Sequence, residues 1–416
     1  MASIIISFVG NQDPYSDHTK EEGSIVTLVK HLIAQKQEIK QILLLGTSGT
    51  KERAEFTKEW LHTEIEIPEA SIEISVVAES LSQDPVNILL ASNEAKQAIE
   101  RVKNIITDTD YLELNASSGT PAMKSTWSIL QAAGYAPRSH VWQVRNPKEM
   151  QAGQDRVFAT DVSVLKTEFD RNIIKQQLAD YNYSGALATI RSSSLTTPII
   201  EALLNYGHRR RSFDFDRANL AIQVIDKDVA ADLSTDIARL RQKDKLSLLQ
   251  EVYFIAEISI KNSEYCDFLI AVAQFQENFL KYQLASLDLP VPDRPQNMHE
   301  FWSKLKTIDE GKIFRDLEKA RCQKSSIVSN GNINIPTQIK ILELMNVDRK
   351  LLDTIESLKN YCEDRNAYIH RLAGVSQIDE AESILRKIKS ILKQLTKFPD
   401  RNPFDLLNDL ILGLLP

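Results

Sequence analysis

Tyr111-Leu112-Glu113-Leu114-Asn115-Ala116-Ser117-Ser118-Gly119-Thr120-Pro121-Ala122-Met123 is the stretch on which the reading of the fold turns. Its first residues form a short β-rich run. Asn115 to Gly119 are small and polar. Thr120 suits a helix N-cap and Pro121 the first helical position, where its missing N–H costs nothing. The stretch therefore reads as strand, tight turn, helix. Gly119 lets backbone approach a ligand, and the free N–H groups of a helix start attract phosphate.

Working outward, the same grammar fills residues 1–150. Strand-like runs lie at Ser3–Gly10, Gln41–Thr47, Ser71–Ala78, Tyr111–Ser117 and His140–Val144. Helical stretches lie between them at Ser24–Gln37, Lys51–His62, Pro85–Ile105 and Pro121–Gly134. Apolar strands separated by helices predict a mainly parallel sheet covered on both faces. Ligands of such sheets sit beyond the carboxyl ends of the strands. Three predicted strands end there in small polar turns: Gly10 to Asp13, Gly46 to Thr50 and Asn115 to Pro121. No GxGxxG and no GxxxxGK[ST] is present, which disfavours a standard dinucleotide or Walker site.

After about residue 165 strand signals nearly vanish and helical periodicity dominates. The fold class is thus α/β followed by all-α. The expected division is a sheet domain at 1–165, a helical connector at 166–240 and a helical domain at 241–416. In the connector, Tyr181-Asn182-Tyr183-Ser184-Gly185-Ala186 resembles Phe213-Asp214-Phe215-Asp216-Arg217-Ala218, which suggests two stacked helical hairpins. Further on, helices are expected at Ser247–Leu284, His299–Lys306, Lys312–Cys322, Ile335–Met345, Asp348–Leu372 and Gln377–Lys397, with a Pro-rich loop over Leu284–Pro295. The final Phe404–Leu415 is too short to span a bilayer and reads as a packing or dimer-contact helix.

Composition removes several function classes. The 416 residues suggest two to three domains. A net charge of −7 rules out a basic nucleic-acid coat, so any contact with RNA or DNA is local. Three cysteines without a CxxC pair argue against a disulfide scaffold or a cysteine zinc site, and the histidines lack metal-ligand spacing, so no metal is expected. The start MASIIISFVGNQD has no basic n-region and reads as a first strand rather than a signal peptide. No apolar run reaches about 18 residues, so no membrane span is expected, and a reducing cytoplasm fits best. Arg209-Arg210-Arg211 is a local basic run that reads first as a solvated turn and second as an RNA contact.

One further motif carries chemistry. Arg365-Asn366-Ala367-Tyr368-Ile369-His370 is an Arg-x4-His in a helical segment. Cutting RNA without a metal requires activating a 2′-hydroxyl, stabilising negative charge on phosphorus and protonating the leaving oxygen. A histidine moves protons near neutral pH. An arginine clamps phosphate with a planar, permanent charge. Five residues of helix turn through about 500°, which leaves the two side chains ~140° apart. A wide cleft, such as one between two subunits, suits them better than one helix face. On spacing alone a solvated helix face is the better reading. A second such spacing, Arg294 to His299, falls in the Pro-flanked loop where no rigid register holds the pair.

Taken together, the motifs resemble those of a known family. Ser7-Phe8-Val9-Gly10-Asn11-Gln12 and Ser117-Ser118-Gly119-Thr120-Pro121-Ala122-Met123 are similar to a CARF domain, the CRISPR-associated Rossmann fold. Arg365 to His370, with Asn after the Arg, resembles a HEPN ribonuclease domain. The pair, in this order, resembles the CARF–HEPN accessory ribonucleases of type III CRISPR systems over most of the chain. The resemblance implies an antiviral, homodimeric endoribonuclease that cuts single-stranded RNA without a metal once a cyclic oligoadenylate activates it allosterically. It implies no cofactor beyond that activating ligand. Carried over, Arg365 and His370 are catalytic and Asn366 orients them. Gly10, Asn11, Gln12, Ser117, Ser118, Gly119 and Thr120 line the ring-binding cleft, joined by Thr47 and Ser48 from their position at a strand end. A ring with rotational symmetry suits a two-fold cleft. Two other readings stay open: a sensor whose HEPN domain is an inert dimerisation module, and a ring nuclease that cleaves the activator in its CARF domain. Ring size, RNA sequence preference, basal activity and the route of the signal through the connector are not legible in the residues.

Overall fold

A computed structural model of the chain describes residues 2–107, 109–136, 138–290, 295–329, 331–359, 361 and 375–416. It divides into two compact units, Met1–Phe169 and Asp170–Pro416.

The first unit is built on strands β1 (Ala2–Phe8), β4 (Glu38–Gly46), β5 (Ile72–Val76), β6 (Tyr111–Asn115), β7 (Ser139–Val144) and β8 (Val157–Thr160), with a two-residue hairpin of β2 (Tyr15–Ser16) and β3 (Glu21–Glu22) outside the sheet. The sheet order is β5-β4-β1-β6-β7-β8. All neighbours pair parallel except β8, which runs antiparallel to β7. β1 therefore sits centrally, with β4 on one side and β6 on the other. The chain reverses its direction of growth between them.

Helices α1 (Ser24–Ala34), α2 (Lys51–Thr63), α3 (Glu79–Gln83), α4 (Ile88–Lys103) and α5 (Pro121–Ala132) cover the sheet. Side chains alternate across a strand. Ile4, Ile6 and Phe8 accordingly point to one core, where they meet Ala95 and Ile99 of α4 and Met123 and Trp127 of α5. Ile5 points to the other, against Val26 and Val29 of α1 and Leu61 of α2. Burial on both faces is why the strand is apolar without a break. Each such side chain contributes about 1.5–3 kcal/mol. The antiparallel β8 was not foreseen: Val157-Phe158-Ala159-Thr160 is too short to alternate recognisably, and its place on the sheet edge is set by pairing with β7.

The second unit is helical. Its elements include α6 (Ser163–Ala179, which begins in the first unit), α7 (Tyr183–Arg191), α8 (Pro198–Arg211), α9 (Phe215–Ile222), α10 (Lys227–Arg241), α11 (Lys245–Lys261) and α12 (Tyr265–Ser286). Then come Pro295–Leu305, Lys312–Gln323, Ile335–Leu344, Arg349–Glu356, Ala381–Leu395 and Pro403–Leu414. One core runs through them, from Ile174 to Leu415. The last helix is a packing helix: Phe404, Leu407 and Ile411 are buried, and Tyr183 Oη donates to Asn408 Oδ1 at 2.8 Å. Among the described residues no helix is long and apolar enough to cross a membrane.

The similarity of the two aromatic segments has a geometric basis. Tyr181 and Phe213 both hold positive φ (54° and 56°), and the next residue, Asn182 or Asp214, caps the following helix through its side chain. The N–H of Asn182 reaches Gln177 O at 2.7 Å, and that of Asp214 reaches Arg209 O at 2.9 Å. These are Schellman closures in which the residue that closes one helix opens the next. Lys243-Asp244 repeats the device, with Lys243 at φ 57° and Asp244 capping α11. Ser263 at φ 58° breaks the expected continuous helix 247–284 into α11 and α12 with the same closure, Glu264 N reaching Ser259 O at 2.7 Å, but Glu264 adds no side-chain cap. No Gly or Pro announces that break in the sequence.

Arg210 of the basic run is buried, not a solvated turn residue. Its Nε and Nη2 donate to Glu251 Oε1 and Oε2, both at 2.8 Å, and its Nη1 donates to Tyr206 Oη at 2.8 Å. Arg211 donates to Tyr181 O at 3.0 Å and to Glu264 Oε2 at 2.9 Å. Two of the three arginines thus hold helices together.

Candidate functional site

The carboxyl ends of β1 and β6 meet at the point where the strand order reverses. That is where open α/β sheets form a ligand crevice. The β1 turn and the β6 turn touch there. Gly10 faces Gly119 and Ser118 so closely that a Cβ on it would lie 2.9 Å from Gly119 N and 3.0 Å from Ser118 Oγ. Gly119 holds φ 90°, and a Cβ on it would meet Met123 Sδ at 2.9 Å and Phe8 Cβ at 3.2 Å. Both glycines are thus fixed by close approach, and Gly119 also by its backbone conformation.

A carboxylate ties the two turns together. Asp13 is buried, and Ser118 Oγ donates to its Oδ2. Gly10 N donates to the same oxygen at 3.1 Å and Ile25 N to Oδ1 at 3.2 Å. Burial pushes the Asp13 carboxyl above its usual range, while the three hydrogen bonds and the Lys124 charge pull it back. Beneath them, Asn115 Nδ2 donates to Ser7 Oγ at 3.0 Å and to Ser24 Oγ at 3.2 Å, and Asn115 Oδ1 accepts from Ser117 N at 3.0 Å. Asp13, Ser7, Ser24 and Asn115 were not singled out in the sequence as site residues. The available signal was polar residues ending otherwise apolar strands.

The expected site residues divide by what their side chains do. Asn11, Gln12 and Ser48 are exposed. Gln12 Oε1 accepts from Ser16 Oγ at 2.5 Å. Ser117 Oγ accepts from Val144 N at 2.7 Å, which links the β6 turn to β7. Thr120 caps α5, accepting from Met123 N at 3.3 Å, and donates to Pro85 O at 2.6 Å. Thr47 forms a reciprocal box with Thr50: Thr47 N donates to Thr50 Oγ1 at 3.0 Å. Ser48 N donates to Ser82 Oγ at 2.9 Å. Gly10, Ser118 and Gly119 are in mutual contact. The Thr47 turn closes the end of β4, the strand beside β1. Arg365, Asn366 and His370 lie outside the described residues.

The two units together define a class: a Rossmann-like parallel sheet with a small-residue crevice at its switch point, followed by an all-helical unit. No protein-family model and no curated protein matches the chain. Among solved structures it is similar to Enterococcus italicus Csm6 bound to cyclic hexa-2′-fluoro-hexa-dAMP, with a TM-score of 0.66 at 18% identity. The likeness covers 100% of both chains, so this chain has a Csm6-like fold.

Proposed function

We propose that this chain is a cyclic-oligoadenylate-activated, metal-independent endoribonuclease of type III CRISPR defence, active as a homodimer on single-stranded RNA. One observation carries the reading. The Gly10 and Ser118–Gly119 turns meet at the switch point of a chain whose whole fold is that of a Csm6 bound to a cyclic oligonucleotide. Backbone N–H groups and exposed side chains of those turns, Asn11 and Gln12 among them, bind the ring's phosphates and sugars. Glycine at both closest approaches lets the two turns close on each other and form the crevice floor. Asp13 holds the turns in register before the ligand arrives, which lowers the ordering cost of binding.

In the helical unit the reading rests on Arg365-Asn366-Ala367-Tyr368-Ile369-His370. Arg365 stabilises the charge that develops on phosphorus, His370 moves the protons, and Asn366 orients the pair. The 2′-oxygen of the RNA attacks the adjacent phosphorus, and the bond from phosphorus to the 5′-oxygen breaks. That oxygen leaves with a proton.

The test is a fluorescent single-stranded RNA assay in EDTA, with cyclic tri-, tetra- and hexa-adenylate added in turn, for wild type and His370→Ala. Cleavage that needs one ring and His370 supports the proposal. Ring binding without cleavage by wild type overturns the nuclease and leaves a sensor. Linearised ring in the His370→Ala sample favours ligand cleavage in the sheet unit.

A further inference from the structure

A cavity of about 480 Å³ lies in the helical unit, lined by α11, α12 and the two left-handed joints at Phe213 and Lys243. That is within the size range of small-molecule sites. The chain carries a net charge of −7, yet among the described residues the wall holds Lys243, Lys245 and Lys281 and no carboxylate. Lys281 already has a partner, so the charge on offer is that of Lys243 and Lys245. Both are exposed and make no ion pair among the described residues. The carboxylates nearest them and Phe213 in the chain are committed elsewhere. Asp244 accepts from Ser247 N at 2.8 Å, Asp216 accepts from Arg241 Nε at 2.8 Å, and Asp214 caps α9.

Two aromatic residues share this wall. Phe213 is 40% exposed; it meets Phe215 in a T-shaped contact at 5.6 Å, and no described ring stacks on it. Tyr282 is half-buried and makes no ring contact among the described residues. Two amides, Gln274 and Asn278, stand one turn apart on α12 and are exposed. Asn278 Nδ2 donates to Gln274 O at 2.8 Å, which holds that amide and leaves its Oδ1 as an acceptor. Lysines bind phosphate as point charges, aromatic faces stack on any base, and amides pair with the edges of unstacked bases. An acidic peptide would use the lysines and leave the rings and amides idle. An apolar partner would strand the lysines.

We propose that this cavity is an accessory binding site for single-stranded RNA, built from none of the residues assigned above to the activator or to catalysis. It rests on the reading of RNA as the substrate of the helical unit. A base stacks in the cavity against Phe213, its flanking phosphates pair with Lys243 and Lys245, and Asn278 Oδ1 accepts from the base edge. A strand held here stays at a raised effective concentration near the chain that cuts it.

Fluorescence anisotropy of a labelled oligouridylate tests this, with the full chain carrying His370→Ala, in EDTA and without activator. Phe213→Ala weakens binding about tenfold, the worth of one stacked base. Phe213→Leu, which keeps apolar bulk without the aromatic face, does the same. Lys243→Gln together with Lys245→Gln, both surface changes that leave the fold intact, lowers the slope of log affinity against log salt by about 1.4, as for two single-strand phosphate contacts. Phe56→Ala, which removes an exposed ring from the sheet unit, changes nothing. The proposal is overturned if the RNA does not bind at about 0.1 mM, the weak end of non-specific affinity. It is equally overturned if the Phe213 and lysine variants bind as the parent does, or if polyglutamate displaces the RNA as well as unlabelled RNA does, which would make the cavity a site for acidic peptides. A wild-type chain that cuts no RNA with any cyclic oligoadenylate overturns the nuclease and not this site, whose readout is binding. A chain that cuts RNA while these variants bind normally overturns this site alone.

Discussion

At the carboxyl edge of the sheet, Asp13 takes three donors, Asn115 bonds two serines and a backbone N–H, and Ser118 closes the crevice floor. At the amino edge, Gln131 Oε1 and Thr160 Oγ1 are buried with no hydrogen-bond partner among the described residues. One edge has spent its polar groups on its own geometry and presents backbone and exposed side chains to a ligand. The other leaves two buried oxygens unmatched. A buried polar network is therefore no guide to where a ligand touches; it marks where the protein holds itself ready.

That contrast can be broken most severely at Gly119. Gly119→Ala forces a side chain into φ 90° and against Met123 and Phe8. We expect a loss of about 2–4 kcal/mol, read by urea denaturation, with loss of cyclic oligoadenylate binding. Asp13→Ala comes next. It strands the Gly10 and Ile25 N–H groups and the Ser118 hydroxyl, and it costs about 2 kcal/mol in the same assay. Equal stability of Asp13→Ala and wild type would mean that the turns are held by something other than the carboxylate.

At the amino edge the effects are smaller. The His140 pKa is raised by its bond to Glu113. A raised folded-state pKa contributes stability that is fully present below the unfolded value of about 6.5 and is lost as pH rises through the folded value. Glu113→Gln therefore flattens the pH dependence of stability in that window. Urea midpoints measured across it check this, and an unchanged slope would remove the pair as its source. Thr160→Val changes stability least, by under about 0.5 kcal/mol, because its hydroxyl bonds to nothing in the described chain. A larger loss would show that the hydroxyl is already used.

The sheet was legible because its strands are apolar on both faces and because Thr120-Pro121 marks a helix start that the structure reproduces at Pro121. The crevice turns were legible because small residues end strands. Asp13 was not, since an aspartate in a polar turn looks the same whether solvated or buried. Glu113 sits inside Tyr111–Asn115, and nothing local reveals that Trp142 and His140, from the neighbouring strand, donate to it. Most helix ends were placed within a few residues, but the expected helix Asp348–Leu372 stops at Glu356, its expected end lying outside the described residues, and the break at Ser263 was missed because its left-handed turn is made by an ordinary residue.

The Schellman joints at Tyr181, Phe213, Lys243 and Ser263 have a consequence for how the chain can be attacked. A protease needs an accessible, extended stretch to thread through its cleft, and such stretches lie in loop tips. At the first three of these joints one helix hands its last closing residue to the next as a side-chain cap, and at all four there is no extended linker between the helices. Limited digestion of the native chain should pass over these joints and, between Ser163 and Ser286, should cut first in the non-helical stretch Ser192–Thr197.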